Sequence, residues 1–433
     1  MKKFLSIIII ISLVAINTFS QQVDKKSLSL KKAIDLTVKN YPLVKQAEQN
    51  LDVINAKIKQ QQSFEYPLVN AEAYYTRIGP IPEFAFSGFP SLELAPANNY
   101  DAHVTAFYNL YDFGKNNSQL NLIESYKKSA NDNITLVKTS LSYAVAKSYY
   151  TILFLKKSIE INDTDAATLN EHINITNKKI ESGTATDYDL LSTKVRLADY
   201  RNNKEMLENQ LNNQVTVLKQ LTGLKDADIN INGDFNILTE YTNSDSLLQI
   251  AFQQRPELKL ALDQENTAHL SKTLASRSDL PDLNVRLNYG LKNGFEPNLD
   301  AIRGNWAASI GVSVPIFNGF RTKGKEEEAQ ANLKISETNT LNAKIKITAE
   351  VQKAVENLKS NLNRIKTAEL KVTLAEEALQ KARAQYSSGV GTNLDLLDAE
   401  TRLADAKFLH LEMIYNNIID TYELKKAVGD ILW

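Results

Sequence analysis

Asp395 and Asp398 stand three residues apart in a segment that reads as a helix, so both carboxylates share one face. Two uses follow from that pairing. Aspartates in a first helical turn stabilise the helix dipole, and carboxylates gathered around a duct concentrate cations and select by charge. The remaining candidates for chemistry do not assemble into a reaction centre. His103, His172, His269 and His410 are scattered without metal-ligand spacing and read as ordinary surface or lumen positions. The chain has no cysteine, which excludes disulfides and thiolate chemistry, and it carries no nucleophile elbow, phosphate-binding glycine loop or zinc motif. No enzyme activity, cofactor or metal is therefore expected. A formal net charge of -1 offers no electrostatic footprint for nucleic acid.

The elements that must carry those aspartates are outlined by proline and glycine, which disrupt helix interiors. No proline lies between Ala97 and Arg255, and none follows Pro315. Within Lys115 to Thr222 the only glycine is Gly183, and within Lys325 to Val428 the only ones are Gly389 and Gly391. Each block reads as two long helices meeting at a glycine turn. At about 1.5 Å per residue the arm from Lys115 to Ser182 reaches roughly 100 Å if unbroken, and the return arm to Thr222 roughly 58 Å. Asn162, Asp163 and Thr164 are weak helix formers and mark a possible local break in the first arm. Heptad rows run along the arms: Ile152, Ile159, Ala166, Ile173 and Ile180 in the first, Leu358, Ile365, Val372, Leu379 and Tyr386 in the third. The fourth arm has Leu394, Thr401, Phe408, Tyr415 and Tyr422, interleaved with Leu397, Ala404, Leu411 and Ile418. Such a seam must bury itself against other helices. The helices alone are equally compatible with a filamentous or scaffold coiled coil.

An internal repeat narrows the choice. Ser182 to Leu191 recurs 206 residues later as Ser388 to Leu397, and the register holds through Arg196-Leu197-Ala198-Asp199 over Arg402-Leu403-Ala404-Asp405 and on to Gly223 over Gly429. Upstream the offset is 214, pairing Pro42 with Pro256, Pro67 with Pro281 and Tyr75 with Tyr289. Eight extra residues therefore lie in the first repeat between Tyr75 and Leu110, in a proline-rich stretch from Gly79 to Asn99, where a loop tip tolerates added length. On both sides of that stretch the hydrophobic period becomes two. Val69, Ala71, Ala73 and Tyr75, then Ala102, Val104, Ala106, Tyr108 and Leu110, alternate with polar neighbours, as do Leu283 to Tyr289 and Trp306 to Val314. Strands of about 10 residues match a tilted bilayer crossing, and Tyr108, Tyr111 and Phe317 stand at strand ends. Four strands are too few for a barrel, whose smallest bacterial form has about eight, so closure needs several chains.

The chain is thus expected to divide into a secretory leader at 1–20 and two repeats. Lys2 and Lys3 precede an apolar run from Phe4 to Ile16, with Thr18 and Ser20 before a cut at Gln21. The first repeat spans 21–246, with a β-hairpin at 66–113, a long helical hairpin at 114–224 and a linker at 225–246. The second spans 247–433, with a β-hairpin at 280–317 and a helical hairpin at 320–430.

These residues resemble the outer-membrane efflux channel family typified by TolC. Ser29-Leu30-Lys31-Lys32-Ala33-Ile34 through Asn40-Tyr41-Pro42-Leu43 looks like the family's start, and Arg255-Pro256-Glu257-Leu258 like its second-repeat counterpart. Tyr386-Ser387-Ser388-Gly389 through Asp395-Leu396-Leu397-Asp398-Ala399 is similar to its most recognisable signature. The resemblance implies a mainly α protein with β: long coiled-coil hairpins forming a periplasmic tunnel, and four strands per protomer in a trimeric 12-stranded outer-membrane barrel. It also implies contact with outer membrane lipid, and a periplasmic adaptor and an inner-membrane pump as partners, the whole acting as an exit duct for efflux or type I secretion. The Gly79 to Asn99 and Lys292 to Gly304 loops are then expected outside the cell, and the glycine turns at the deep periplasmic end.

Site residues follow from the same resemblance. Asp395 and Asp398 correspond to an acidic ring at the periplasmic entrance, Asp189 to the gate carboxylate on the first hairpin, and Tyr386 to the gate tyrosine on the second. Gly391 stands where the best-known member has an arginine that ties the hairpins, with Lys381 and Arg383 as nearby substitutes. The turns holding Gly183, Thr186, Gly389 and Thr392 resemble adaptor-docking tips; as plain helix turns they need only glycine for positive φ and threonine for capping. The competing reading, a periplasmic coiled-coil adaptor or scaffold without a pore, lacks a reason for duplicated amphipathic hairpins.

Overall fold

The computed structural model describes residues 28–432 apart from 86, 89–90, 226–229, 232, 234 and 238–243. The expected leader at 1–20 lies outside the described residues, as does much of the expected linker. Helices α1 (Leu30–Asn40) and α2 (Pro42–Gln62) open the chain. Ser29 caps α1, accepting from the Lys32 N–H, and Tyr41 is extended because the ring of Pro42 excludes the helical region for the residue before it. Strand β1 (Leu68–Arg77), a small hairpin of β2 (Glu83–Phe84) and β3 (Leu92–Glu93), and β4 (Asn98–Tyr111) lead into α3 (Lys115–Glu181) and α4 (Asp187–Thr222). The plan then repeats as α5 (Ser244–Gln254), α6 (Pro256–Ser276), β5 (Asp282–Lys292), β6 (Arg303–Ser313), α7 (Arg321–Ser387) and α8 (Asn393–Val428).

The two 67-residue helices, α3 and α7, are each about 100 Å long. Each is flanked by two shorter helices placed end to end. Along α3, Lys138 reaches Glu48 of α2, while Ser148 and Asn162 bond to Gln214 and Tyr200 of α4. Along α7, Thr340 bonds to Ala261 of α6 and Asn361 to Asp420 of α8. At the second junction Arg255 is buried, donating to the Ala427 carbonyl oxygen at the end of α8 and to Glu257 and Glu350. A buried guanidinium needs that set of acceptors to offset its lost hydration. Around the two junctions lie the main apolar clusters. Ile34, Val145, Tyr149, Ile152 and Leu218 join α1, α3 and α4, and Leu247, Leu258, Ile347, Leu358 and Leu424 join α5 to α8.

One expectation about the helices needs correction. Helix α3 runs unbroken through Asn162, Asp163 and Thr164. Asn162 donates to the Tyr200 carbonyl oxygen and accepts from Asn203, and Asp163 pairs with Lys204 at 2.8 Å, so tertiary bonds outweigh weak propensity. The fourth-arm seam buries itself against other helices as its spacing requires, apart from Leu394. Leu397, Ala404, Leu411 and Ile418 are buried, whereas Leu394 is exposed and the aromatics of its row turn toward α3. Phe408 and Tyr415 meet Phe154, and Tyr422 meets Tyr150. That row joins the two hairpins.

The four long strands form one antiparallel sheet in the order β1-β4-β5-β6. Register aligns the apolar rows across it: Ala71 with Val104, Val104 with Tyr289, and Tyr289 with Trp306. The other face carries Asn70, Thr105, Asn288 and Ala307 in line, with Glu72, His103 and Gly290 beside them. The apolar face is bare in the single chain, with Trp306 78 % exposed. Among the described residues neither β1 nor β6 has a partner on its outer edge. No described helix is long and apolar enough to cross a membrane. Phe113, Phe317 and Phe320 are exposed where strands give way to helices.

Candidate functional site

At the ends of the two helical hairpins, the turns are nearly superimposable in their chemistry. Gly183 (φ 73°) and Gly389 (φ 78°) take the left-handed conformation that lets the chain reverse without Cβ strain. Thr184 N–H donates to the Lys179 carbonyl oxygen at 2.7 Å, and Val390 N–H to that of Gln385 at 3.0 Å. Thr186 and Thr392 then cap α4 and α8. Each accepts from the backbone N–H three residues on, at 3.2 Å, while the Asp at that position accepts from the threonine N–H, at 2.9 Å for Asp189 and 3.0 Å for Asp395.

The capping boxes locate two predicted gate residues. Asp189 and Asp395 are folded back onto their own caps, and Thr392, through its hydroxyl and then its backbone N–H, holds the Asp395 carboxyl below its ordinary range. Asp398 is exposed and pairs with Arg402 at 2.7 Å one turn along. Asp395 and Asp398 lie on the solvent side of α8, opposite Leu396 and Leu397, which are buried. The structure therefore brings the two carboxylates to one exposed face, each with a partner of its own. It does not bring Asp189 to Tyr386. The Tyr386 hydroxyl lies 3.3 Å from Thr176 Oγ1, and the residue is 6 % exposed, covered by α3 and α8.

The contact between hairpins is made mostly by residues that the sequence did not single out. Lys179 donates to the Tyr386 carbonyl oxygen at 2.6 Å and stacks its ammonium 4.4 Å from the tyrosine ring centroid. Asn393 donates from Nδ2 to the Asp189 carbonyl oxygen at 3.3 Å. His172 is a correction: it is 2 % exposed, not a surface or lumen residue, and lies between Glu400 and Asn393. Of the proposed substitutes for the missing arginine, Arg383 reaches Glu400 at 4.0 Å, within the second hairpin. Gly391 has little room for a side chain, since a Cβ there would lie 3.0 Å from Gln385 Cβ and 3.2 Å from the Tyr386 nitrogen. The register of the repeat held a signal for the buried set: positions 172, 187 and 194 are His, Asp and Lys, while 378, 393 and 400 are Ala, Asn and Glu. Among the described residues no group of three or more His, Asp or Glu could hold a metal.

The fold and the tips can now be set beside known proteins. Residues 33–224 and 247–430 both match the family described as outer membrane efflux protein, one match per repeat. The chain belongs to that family. It is 22 % identical over 318 residues to the outer membrane protein TolC of Vibrio cholerae serotype O1, covering 72 % of this chain and 73 % of TolC. It is 23 % identical over 341 residues to the pyoverdine export outer membrane protein OpmQ of Pseudomonas putida, covering 77 % of this chain and 71 % of OpmQ. The solved structure of VceC from Vibrio cholerae superposes with a TM-score of 0.78 at 18 % identity, covering 93 % of this chain and 97 % of that one. The efflux protein is accordingly an outer-membrane channel, an exit duct for efflux or type I secretion, with its sheet in the membrane and its helical body in the periplasm.

Proposed function

We propose that three copies of this efflux protein close into a homotrimeric duct that opens at the hairpin tips, receiving cargo from an inner-membrane pump through a periplasmic adaptor. The observation that carries this reading is the four-stranded sheet with two unpaired outer edges and an exposed apolar face. An open edge and a bare apolar face are both liabilities in one chain. Joining β6 of one copy to β1 of the next removes the edges, and three sets of four strands give an even-numbered barrel within the bacterial range of about 8 to 26. Each sequence repeat, 21–246 and 247–433, then supplies two strands and one helical hairpin. A heat-modifiable trimer in outer-membrane fractions supports the assembly, and a soluble periplasmic monomer rules it out in favour of a pore-free adaptor.

The tip residues divide into two roles. The turns at Gly183, Thr186, Gly389 and Thr392 dock the adaptor, and exposed Val390, Leu394 and Tyr188 give them an apolar contact surface. Asp395 and Asp398 line the entrance as six carboxylates around the axis, and Asp189 and Tyr386 hold the hairpins at the resting gate. Replacing both Asp395 and Asp398 by asparagine weakens cation preference in planar bilayers and removes block by multivalent cations from the periplasmic side. The effect shrinks with salt, as the Debye length falls from about 30 Å at 0.01 M to about 3 Å at 1 M. Unchanged selectivity with an intact trimer removes both aspartates from the pore. The pump selects the cargo, and the duct performs no covalent chemistry on it.

A further inference from the structure

His172 is enclosed between the hairpins, yet both of its ring nitrogens face oxygen. Nδ1 lies 3.1 Å from Glu400 Oε2 and Nε2 lies 2.9 Å from Asn393 Oδ1. The Asn393 amide is oriented from its other side, because its Nδ2 donates to the Asp189 carbonyl oxygen. A neutral imidazole has one N–H and one lone pair. It satisfies one of the two acceptors and aims its lone pair at the other. Turning the Asn393 amide repairs that contact only by giving up the bond to Asp189. An imidazolium donates to both oxygens, keeps Asn393 as it stands, and sets a positive charge against the Glu400 carboxylate.

We propose that His172 is the positioning residue of the closed tip: its charged form ties α3 to the first turns of α8 and, through Asn393, to the start of α4, and loss of its proton loosens the second hairpin from the first. The proposal rests on the reading of the tips as the duct's gate. It makes closure tighter in acid and looser in alkali. The other groups around the ring are consistent with a charge-sensitive seam. From α7, Arg383 faces Glu400, and the Tyr386 ring meets His172 edge-on at 5.5 Å. Lys179 of α3 covers Tyr386. Asp165 of α3, Arg196 of α4 and Lys407 of α8 line the adjoining cavity with Glu400. Asp165 is a second titrating group there, raised by burial from 3.8 to about 6, so the test must separate the two.

The chain has no cysteine, so spin labels at Thr184→Cys and Val390→Cys report tip spacing within one protomer when labelled chains are diluted into unlabelled trimers. Electron-electron distance measurements at pH 5.5, 7 and 8.5 should give one short, narrow distribution in acid that lengthens and broadens in alkali. His172→Gln should give a pH-independent distribution. Glu400→Gln should broaden the distribution in acid, because it removes the carboxylate that the imidazolium faces, and it keeps the test available if His172→Gln does not fold. Asp165→Asn should leave the transition in place. A spacing that ignores pH in the parent, or a transition that survives His172→Gln and disappears in Asp165→Asn, overturns the proposal. Single-channel conductance on the same samples separates the two readings: spacing that follows His172 while conductance stays flat leaves the latch standing and removes the tips as the gate.

Discussion

At the first hairpin tip Gly183 reverses the chain, Thr186 caps α4 and Asp189 closes the box; at the second, Gly389, Thr392 and Asp395 do the same for α8. The surroundings of these matching turns differ. Ile180 is half-buried and Asp187 exposed, while their counterparts Tyr386 and Asn393 are buried against α3 and α4. Lys194 has Glu400 as its counterpart, and His172 has Ala378. The turn is a local solution that any helical hairpin can use, so both repeats keep it. The contact between hairpins is a property of one side meeting another, and two copies of one sequence cannot supply both sides of an asymmetric interface unless they diverge.

The largest effect that could break this comparison is expected at Tyr386. Tyr386→Ala empties a site packed against Leu379, Leu396, Ala399 and Leu403 and should cost about 3 to 5 kcal/mol, the range for large buried aromatics. Ile180→Ala, at a half-buried position, should cost about 1 kcal/mol. Amide exchange in the last turns of α7 and first turns of α8, against those of α3 and α4, measures both. Similar losses at the two positions would mean that the tips are equivalent after all.

A smaller effect with a pH signature is expected at Asp165, whose counterpart Lys371 is exposed. Burial raises the Asp165 carboxyl from 3.8 to about 6. For a carboxyl shifted upward the folded state disfavours the ionised form, so the penalty is absent below pH 3.8, grows as pH rises and is complete above about 6. Asp165→Asn should therefore stabilise the hairpins at pH 8, by about 1 kcal/mol for a carboxyl that solvent still partly screens, and change little at pH 4. Lys371→Gln should leave the pH profile of stability as it is in the parent. Thermal or denaturant midpoints at the two pH values decide the sign.

The caps sharpen the comparison from the opposite direction, because here the tips should agree. Thr186→Ala and Thr392→Ala each remove a side-chain acceptor of the same geometry and should each cost about 1 kcal/mol in the first turn of the helix. Exchange rates for the amides of residues 187–190 and 393–396 report this directly, and a twofold difference in cost would show that tertiary packing reaches into the caps. The smallest effect is expected at Asp398. Its pair with Arg402 is exposed on both sides, so Asp398→Ala should change stability by no more than about 0.5 kcal/mol and less at high salt. A larger loss would give Asp398 a structural role that its surroundings do not explain.

Much of this architecture is written in one dimension. Helices of this length follow from the absence of proline and glycine, the turns from single glycines, the strands from a period of two, and the doubling of the plan from the 206-residue register. Those are properties of a residue and its near neighbours, and Gly183, Gly389, Thr186 and Thr392 stand at the turns and caps that their chemistry predicts. Asn162 reads as a break, and the partner of the Leu394 to Tyr422 row stays unread, because propensity and heptad spacing describe one helix at a time. Asn162 is held helical by Tyr200 and Asn203 on α4, and Phe408, Tyr415 and Tyr422 turn to aromatics on α3 that lie more than 250 residues away in the chain. The burial of His172 belongs to the same class. A histidine on a long polar helix reads as solvated until a second hairpin covers it, and which of its faces is covered depends on the rotation of α3 against α8. That rotation is set by the summed packing of all four long helices, so only the tertiary structure could bring His172, Asn393 and Glu400 together.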